Sequence, residues 1–440
     1  MYHSYEALDR GSGFSRVRIF APLAHRDFRL LWSGMCTSLI GDGAFLVALA
    51  WQVYMLSNAP TALATVGIAM TVPTIGCLLL GGVLSDRFDR RRIMLAADIV
   101  RAVVLSLLCV LSATGELHLW HVMALAAVYG AGTAFFDPAF DAVVPELLPP
   151  TALAQANSLD QFVRPVTLRL AGPALGGVVV HAVGAAGAFG LDAGSFVASA
   201  AALVAMSPRP RHAPVSSTSV GKEIMTGLRY VRGHAWLWAT FASAALAYLL
   251  FMGPTEVLLP FVVKNQLRAG PGALGLVFAA GGLGSLLCAL VVGQRGLPRR
   301  EITFIYCTWT LATFAIAGYG VAHALWGLML VSVAFNALET AGTIGWATVK
   351  QRHVPPALLG RVSSLDWLIS IGLLPLSFAL TGPVSAAIGV RACLIGAGTL
   401  GGLVTLAALL VPGVRSIERR PGGMLPATPL GLSRPADPRI

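Results

Sequence analysis

Ionisable side chains inside otherwise apolar stretches are the residues of this chain best placed to do chemistry: Asp42, Asp98, Arg101, Arg164, Arg169, Asp192 and Glu339. A charge at the centre of a bilayer costs at least about 2.5 to 3.5 kcal/mol, so a group that stays there is a candidate for function. Asp42 follows Gly41 with no basic residue close in sequence. Desolvation there favours the neutral acid, which makes it a candidate proton carrier or a site for a cationic substrate. Pairing with Arg164 or Arg169 is the structural alternative. Glu339 is similar, with Asn336 one turn away. Asp98 and Arg101 lie three apart on one helical face, a spacing that lets them neutralise each other. Asp192 falls nearer the outer end of its run, where a satisfied polar contact is expected. Asp137 and Asp141 fall near the inner end of theirs, where solvated or helix-pairing roles are expected.

These residues can be buried only if the surrounding stretches are membrane spans. Hydrophobic residues make up 56% and charged residues 12% of the 440, which excludes an ordinary soluble domain. A crossing helix needs roughly 20 apolar residues, and about twelve such runs can be counted. They centre near Ile40, Val72, Ser106, Val128, Leu170, Val197, Leu249, Gly282, Thr313, Ala337, Leu374 and Val404. Numbered in that order, spans 2 and 3 flank the sharpest charge cluster, residues 81–92, reading GGVLSDRFDRRR.

The net charge of +11 suggests nucleic acid only until the 31 Lys and Arg are placed along the chain. Roughly 25 fall in the N-terminal segment, the C-terminal tail and the loops after spans 2, 6, 8 and 10. That asymmetry is the positive-inside pattern and predicts cytoplasmic termini, with no nucleic-acid partner. The six cysteines all lie inside predicted spans, where they act as small apolar residues, so neither a disulfide framework nor a metal site follows. Residues 1–29 are polar and basic, so no cleaved signal peptide is expected and the first span serves for insertion.

The reading gives a cytoplasmic segment 1–29, a six-span half 30–206, a cytoplasmic linker 207–235, a second six-span half 236–412 and a tail 413–440 expected to be disordered. The second half of the linker, about Val220 to Tyr230, could form a short helix on the membrane surface. The halves repeat weakly: Pro149-Pro150 then Ser158-Leu159-Asp160 recurs as Pro355-Pro356 then Ser364-Leu365-Asp366, and Gly172-Pro173 recurs as Gly382-Pro383. Two six-helix halves in parallel repeat are the layout of a rocker-type transporter. Aromatic residues near span ends, among them Trp32, Trp51, Tyr54, Trp120, Trp236, Trp238, Trp326 and Trp346, read as interfacial anchors. Tyr248, Phe335 and Trp367 lie deeper and are open to pocket, packing or lipid-facing roles.

Gly82-x-Leu84-x-Asp86-Arg87-x-x-Arg90-Arg91 resembles the loop 2–3 signature of the major facilitator superfamily, and Gly172-Pro173-x-x-Gly176-Gly177 resembles that superfamily's antiporter motif. FRLLW at Phe28–Trp32, AFFDPAF at Ala134–Phe140 and QANSL at Gln155–Leu159 are similar to twelve-helix bacterial drug and siderophore exporters of the macrolide-efflux and enterobactin-exporter groups. The resemblance covers about Ala24 to Val411. It implies an all-α integral membrane protein with twelve transmembrane helices in two pseudo-symmetric six-helix bundles, and a span 5 bend that seals the path.

The physical roles sit beside the resemblance. Gly82 permits close approach of span 2 to span 11. Asp86 is then expected to face the start of span 11 near Gly360 to Ser364, where a helix dipole favours an anion by about 0.3 to 2 kcal/mol. Arg87, Arg90, Arg91 and Arg92 could pair with Asp86 and Asp89 or with lipid phosphates, or simply hold topology. Asp89 stands where the family's loop usually has glycine, which adds an acid, and the matching loop after span 8 has bases but no acid, so any latch is one-sided. Ala126 stands where many drug:proton antiporters carry a buried span 4 arginine, for which Arg164 or Arg169 could substitute.

The function expected is secondary active transport by alternating access, most readily proton-coupled export of a small amphipathic drug, siderophore or secondary metabolite from a monomer in the inner membrane. No GxxxxGK[ST] and no metal or nucleophile constellation occurs, so neither ATP-driven transport by this chain, nor a cofactor, nor an enzyme is expected. An importer or uniporter is the nearest rival, and a receptor or scaffold on a transporter fold the more distant one.

Overall fold

The structure is a computed structural model. It describes residues 18–87, 89–149, 152–207 and 220–418, with the backbone alone for residues 78–87, 220–224 and a few single positions elsewhere. Helices follow in the order α1 (Arg26–Leu56), α2 (Pro60–Arg87), α3 (Arg90–Thr114), α4 (Leu119–Leu147), α5 (Leu153–Arg164), α6 (Gly172–Ala205), α7 (Val220–Arg232), α8 (Ala235–Phe261), α9 (Pro271–Arg295), α10 (Glu301–Val321), α11 (Leu325–His353), α12 (Pro356–Gly372), α13 (Leu374–Ile388) and α14 (Val390–Ala408). No strand occurs among the described residues.

Eleven helical stretches among the described residues are long and apolar enough to cross a membrane. One of them, Pro165–Ala205, runs 41 residues. At about 1.5 Å per residue that is roughly twice the hydrocarbon thickness, so it cannot be a single crossing. The break is at Gly184, whose φ of 78° and ψ of 175° are non-helical and open only to a residue without Cβ. Span 5 is therefore α5, the π-helical stretch Pro165–Ala171 and the first part of α6, and span 6 is the remainder, giving twelve crossings. Span 11 is likewise α12 and α13 in series. Val103, Val110, Leu311, Leu330 and Leu403 are each more than half exposed, which a lipid surround satisfies and water does not.

Helices α1 to α6 pack chiefly on one another, as do α8 to α14. Between the halves, α6 packs on α9 and α2 on α13. In span numbers those are 5 on 8 and 2 on 11, and exchanging each span for its counterpart in the other half, 5 for 11 and 8 for 2, turns one pair into the other. The weak sequence repeat between the starts of spans 5 and 11 thus belongs to a twofold-related architecture. Helix α7 forms over the segment read as a surface helix and packs on α8 and α12, with Gly227 against Arg361 and Leu365.

Three aromatic assignments change: Tyr54, 1% exposed, is a core residue and not an interfacial anchor, and two tryptophans follow it. Trp236 is 2% exposed and Trp346 is 6% exposed, so they are core residues rather than interfacial anchors. Their rings, one from α8 and one from α11, meet edge to face at 5.7 Å. Trp120 and Trp326, at 64% and 69% exposed, remain at span ends facing outward. Trp367 is 67% exposed, so it is not a packing residue of the core.

Candidate transport site

Charge is concentrated in the first half, at two levels along α4. At the deeper level the Asp98 carboxylate pairs with Arg101 at 2.5 Å, one turn apart on α3, with both side chains almost wholly buried. The Arg101 guanidinium lies over the Phe136 ring at 4.6 Å and the Phe196 ring at 4.2 Å. A side chain at Gly132 would meet the Arg101 stem at 3.1 Å, so this glycine makes room for it. Arg101 thus brings a cation from α3 against α4 beside Gly132. The Tyr129 hydroxyl donates a hydrogen bond to Asp42 Oδ1. Asp42 therefore has a neutral partner on α4, not one of the arginines considered for it.

Asp192 is fully buried, with Oδ1 accepting from the Ser195 hydroxyl at 3.0 Å and Oδ2 without a hydrogen-bond partner. It presses on Gly41: a Cβ there would lie 2.2 Å from Asp192 Oδ1. The expectation of a satisfied polar contact fails at that second oxygen. Only the fold places Asp192 beside the residue preceding Asp42, because α1 and α6 pack along their lengths.

At the shallower level Arg164 holds Asp160 at 2.8 Å, an i, i+4 pair on α5, and lies 5.7 Å from the Phe140 ring. The charges of Asp137 and Asp141 also act on Arg164, while Asp137 lies within electrostatic reach of Arg101 as well. Asp137 and Asp141 are exposed, in keeping with a solvated position. Asp366, the repeat counterpart of Asp160, is held by Lys350 and by the Trp346 indole at 2.8 Å instead.

Arg169 reaches across the interface between halves. It donates to Asn336 Oδ1 at 3.3 Å and stands 3.7 Å from Glu339 on α11. Its backbone lies against α9, where a Cβ on Gly282 would be 2.5 Å from the Arg169 carbonyl oxygen. Glu256 on α8, an exposed acid within a span that the apolar run around Leu249 conceals, is also within electrostatic reach of Arg169. Span 5 thus brings together Arg169 from one half and Asn336, Glu339 and Glu256 from the other.

The antiporter-like motif sits directly after the π-helical stretch, as expected of a helix weakened by Pro165 and Pro173. Its glycines form a junction of three helices. A Cβ on Gly172 would lie 2.7 Å from Gly43 Cα, one on Gly176 2.6 Å from Ala44 Cα, and one on Gly177 3.1 Å from Gly275 Cα. The first two contacts bind span 5 to span 1 and the third binds it to span 8 of the other half. Pro173 is buried in the same junction.

Of the charged hairpin, the side chains of Gly82, Asp86 and Arg87 lie outside the described residues, as do those of Gly360 and Ser364. Arg90 pairs with Glu146 at the end of α4, and Arg91 donates to the Val204 carbonyl in the last turn of α6 at 2.7 Å. Both tie the start of α3 to helix ends of their own half, where basic groups complement carbonyl ends. Asp89 caps α3, accepting from the Arg91 amide at 3.0 Å, and lies 3.8 Å from Arg92. The carboxylate standing in for the usual glycine thus starts a helix.

The opposite ends of the halves are clasped by residues with no charge signature in sequence beyond Lys264. The Tyr54 hydroxyl donates to the Val257 carbonyl at 2.6 Å, Asn58 Nδ2 donates to Asn265 Oδ1 at 2.8 Å, and Lys264 donates to the Tyr54 carbonyl at the end of α1.

The model of the transmembrane secretion effector family of the major facilitator superfamily matches residues 17–430. The chain belongs to this family. This transporter is 24% identical to the macrolide efflux protein A of Streptococcus pyogenes, over 89% of this chain and 96% of that one. It is 28% identical to the multidrug efflux pump Tap of Mycolicibacterium fortuitum, over 87% and 95% respectively. Among solved structures, a bacterial homologue of the iron transporter ferroportin in an inward-facing state superposes with a TM-score of 0.63 at 17% identity, covering 88% of this chain and 99% of that one. The fold of this transporter is that of the superfamily, and it is a multi-pass membrane protein.

Proposed function

We propose that this transporter exports a small amphipathic molecule, a drug, siderophore or secondary metabolite, by alternating access coupled to inward proton flow across the cytoplasmic membrane. One observation carries the reading. The halves are clasped at Tyr54, Asn58, Lys264 and Asn265, while acids further along the same bundle, Asp137 and Asp141, are exposed. One end is shut and polar groups toward the other are open, as alternating access requires of one of its states. Basic loops at the open end support its being cytoplasmic. The efflux named for both curated relatives supports export over import. Inward movement of one charge releases about 2.3 kcal/mol per 100 mV, a gradient large enough to drive accumulation.

On this reading Asp86 with Gly82 and Arg87 forms the latch that closes the cytoplasmic end against span 11 in the other state. Arg169, Asn336 and Glu339 are the cross-half contacts that substrate binding rearranges. Everted vesicles energised by respiration provide the test, with ethidium as probe. Uptake that collapses on adding a protonophore supports antiport, and uptake indifferent to it overturns the reading.

A further inference from the structure

Tyr129, Thr133, Asp137 and Asp141 recur every fourth residue along α4. Each step of four turns the helix by about 400°, so the four groups run along one side with a drift of about 40° per step. Their exposure is graded: Asp141 and Asp137 are exposed, Thr133 is half-buried and Tyr129 is 4% exposed. The stripe therefore begins in an accessible region and ends inside the bundle, where Tyr129 donates to Asp42. Next to Asp42, at Gly41, stands Asp192, fully buried and with Oδ2 unpartnered.

The charge balance at that inner end decides its chemistry. Three carboxyl groups, Asp42, Asp98 and Asp192, surround one guanidinium, that of Arg101, which is already bonded to Asp98. Asp98 from α3 and Asp137 from α4 act on Asp42, while the groups facing Asp192 from the neighbouring elements are Asp42 from α1, Arg101 from α3, Tyr129 from α4 and Ser195 on its own helix. Helix α9, packed on the same helix, has Arg295 at its far end as its one charged residue, and Arg169 is turned to Asn336. Among the described residues no second base balances the two further acids. A buried carboxylate without a counter-charge costs several kcal/mol, whereas protonation removes the charge and leaves one O–H to be given an acceptor.

We infer that the α4 stripe Asp141, Asp137, Thr133 and Tyr129 is a proton-exchange route between the accessible end of the bundle and the Asp42 and Asp192 pair, and that Asp192 holds the proton. The inference deepens the proton-coupled reading and rests on it. It puts the coupling proton inside the first half, apart from the Arg169, Asn336 and Glu339 contacts between halves. On arrival the proton forms an O–H bond at Asp192 Oδ2, and on departure that bond breaks and the proton returns to water along the stripe. Tyr129 and Arg101 stabilise the Asp42 carboxylate while its neighbour is neutral.

Infrared pH-difference spectroscopy of the full-length protein in lipid, with deuterium exchange, tests this directly. Wild type is expected to show a buried carboxylic-acid C=O band near neutral pH. Asp192→Asn should abolish it, Tyr129→Phe should shift it, and Asp137→Asn should leave it present but slow its deuterium exchange at least tenfold. A band that survives unaltered in Asp192→Asn overturns the assignment, as does exchange unaffected by Asp137→Asn. Should Asp192→Asn fail to fold, the wild-type spectrum still decides, because the absence of any buried acid band is itself fatal, and Gly41→Ala, which crowds Asp192 Oδ1, must displace the band. Ethidium uptake in everted vesicles separates the two claims. Protonophore-sensitive uptake with the band unchanged in Asp192→Asn sinks the site alone, whereas insensitive uptake with the band lost sinks coupled export alone.

Discussion

At the scale of single residues, the transporter keeps several charges in apolar surroundings by giving them specific companions. Asp98 and Arg101 show the cost when one companion goes. Arg101→Leu leaves Asp98 buried alone and is expected to destabilise the protein by about 3 to 5 kcal/mol. The double variant Asp98→Asn with Arg101→Leu is expected to recover at least half of that, read as the midpoint of denaturant unfolding in bicelles. The three-residue spacing made this pair legible in sequence. Tyr129 was not legible in the same way, since a tyrosine in a span is ordinary until its partner is known. Its hydroxyl matters because α1 and α4 bring it to Asp42. Asp192 was visible as a charge, but its orphaned oxygen depends on what α1 presents to it, which is a glycine.

At the scale of elements, small residues decide where helices touch and polar residues decide where they are tied. A Cβ on Gly43 would lie 2.7 Å from the Leu168 carbonyl oxygen and 2.8 Å from Gly172 Cα, backbone atoms that cannot swing aside. Gly43→Ala is expected to cost about 1 to 3 kcal/mol. Gly76→Ala, with nothing within 4 Å, should be neutral or slightly stabilising. Thermal midpoints from fluorescence-detected size exclusion separate the two. The clasp between halves makes a second prediction. With the six native cysteines replaced, Asn58→Cys and Asn265→Cys should cross-link under oxidation, reduce ethidium transport to background and recover with reductant. Transport that persists in the cross-linked protein would exclude this end as a moving gate. The helix count was legible from hydropathy, and the helix-weakening prolines of span 5 from composition. The π-helical form of Pro165–Ala171 was not, because it answers to packing of that stretch against α1 and α9.

At the scale of the whole molecule, the Arg169 contacts with Asn336 and Glu339 join the two halves where span 5 meets span 10. Arg169 is about half exposed, and an ion pair of that kind adds at most about 1 kcal/mol to stability. Arg169→Ala is therefore expected to leave the thermal midpoint nearly unchanged while lowering ethidium transport at least tenfold. A loss of stability as large as that of Arg101→Leu would instead make it a structural link.

The sequence by itself determined the membrane class, the twelve crossings, the superfamily and the positions of the buried charges. Hydropathy, charge asymmetry and short motifs are local properties that need no partner to be read. Tertiary structure decided the pairings: Asp42 with Tyr129 instead of an arginine, Arg101 against Gly132 of α4, Arg90 with Glu146, Asp192 against Gly41, and Tyr54, Trp236 and Trp346 in the core. Each of these joins helices far apart along the chain. A buried polar group takes its partner from whichever helix the packing of small residues brings within hydrogen-bond reach, and no single span encodes that choice.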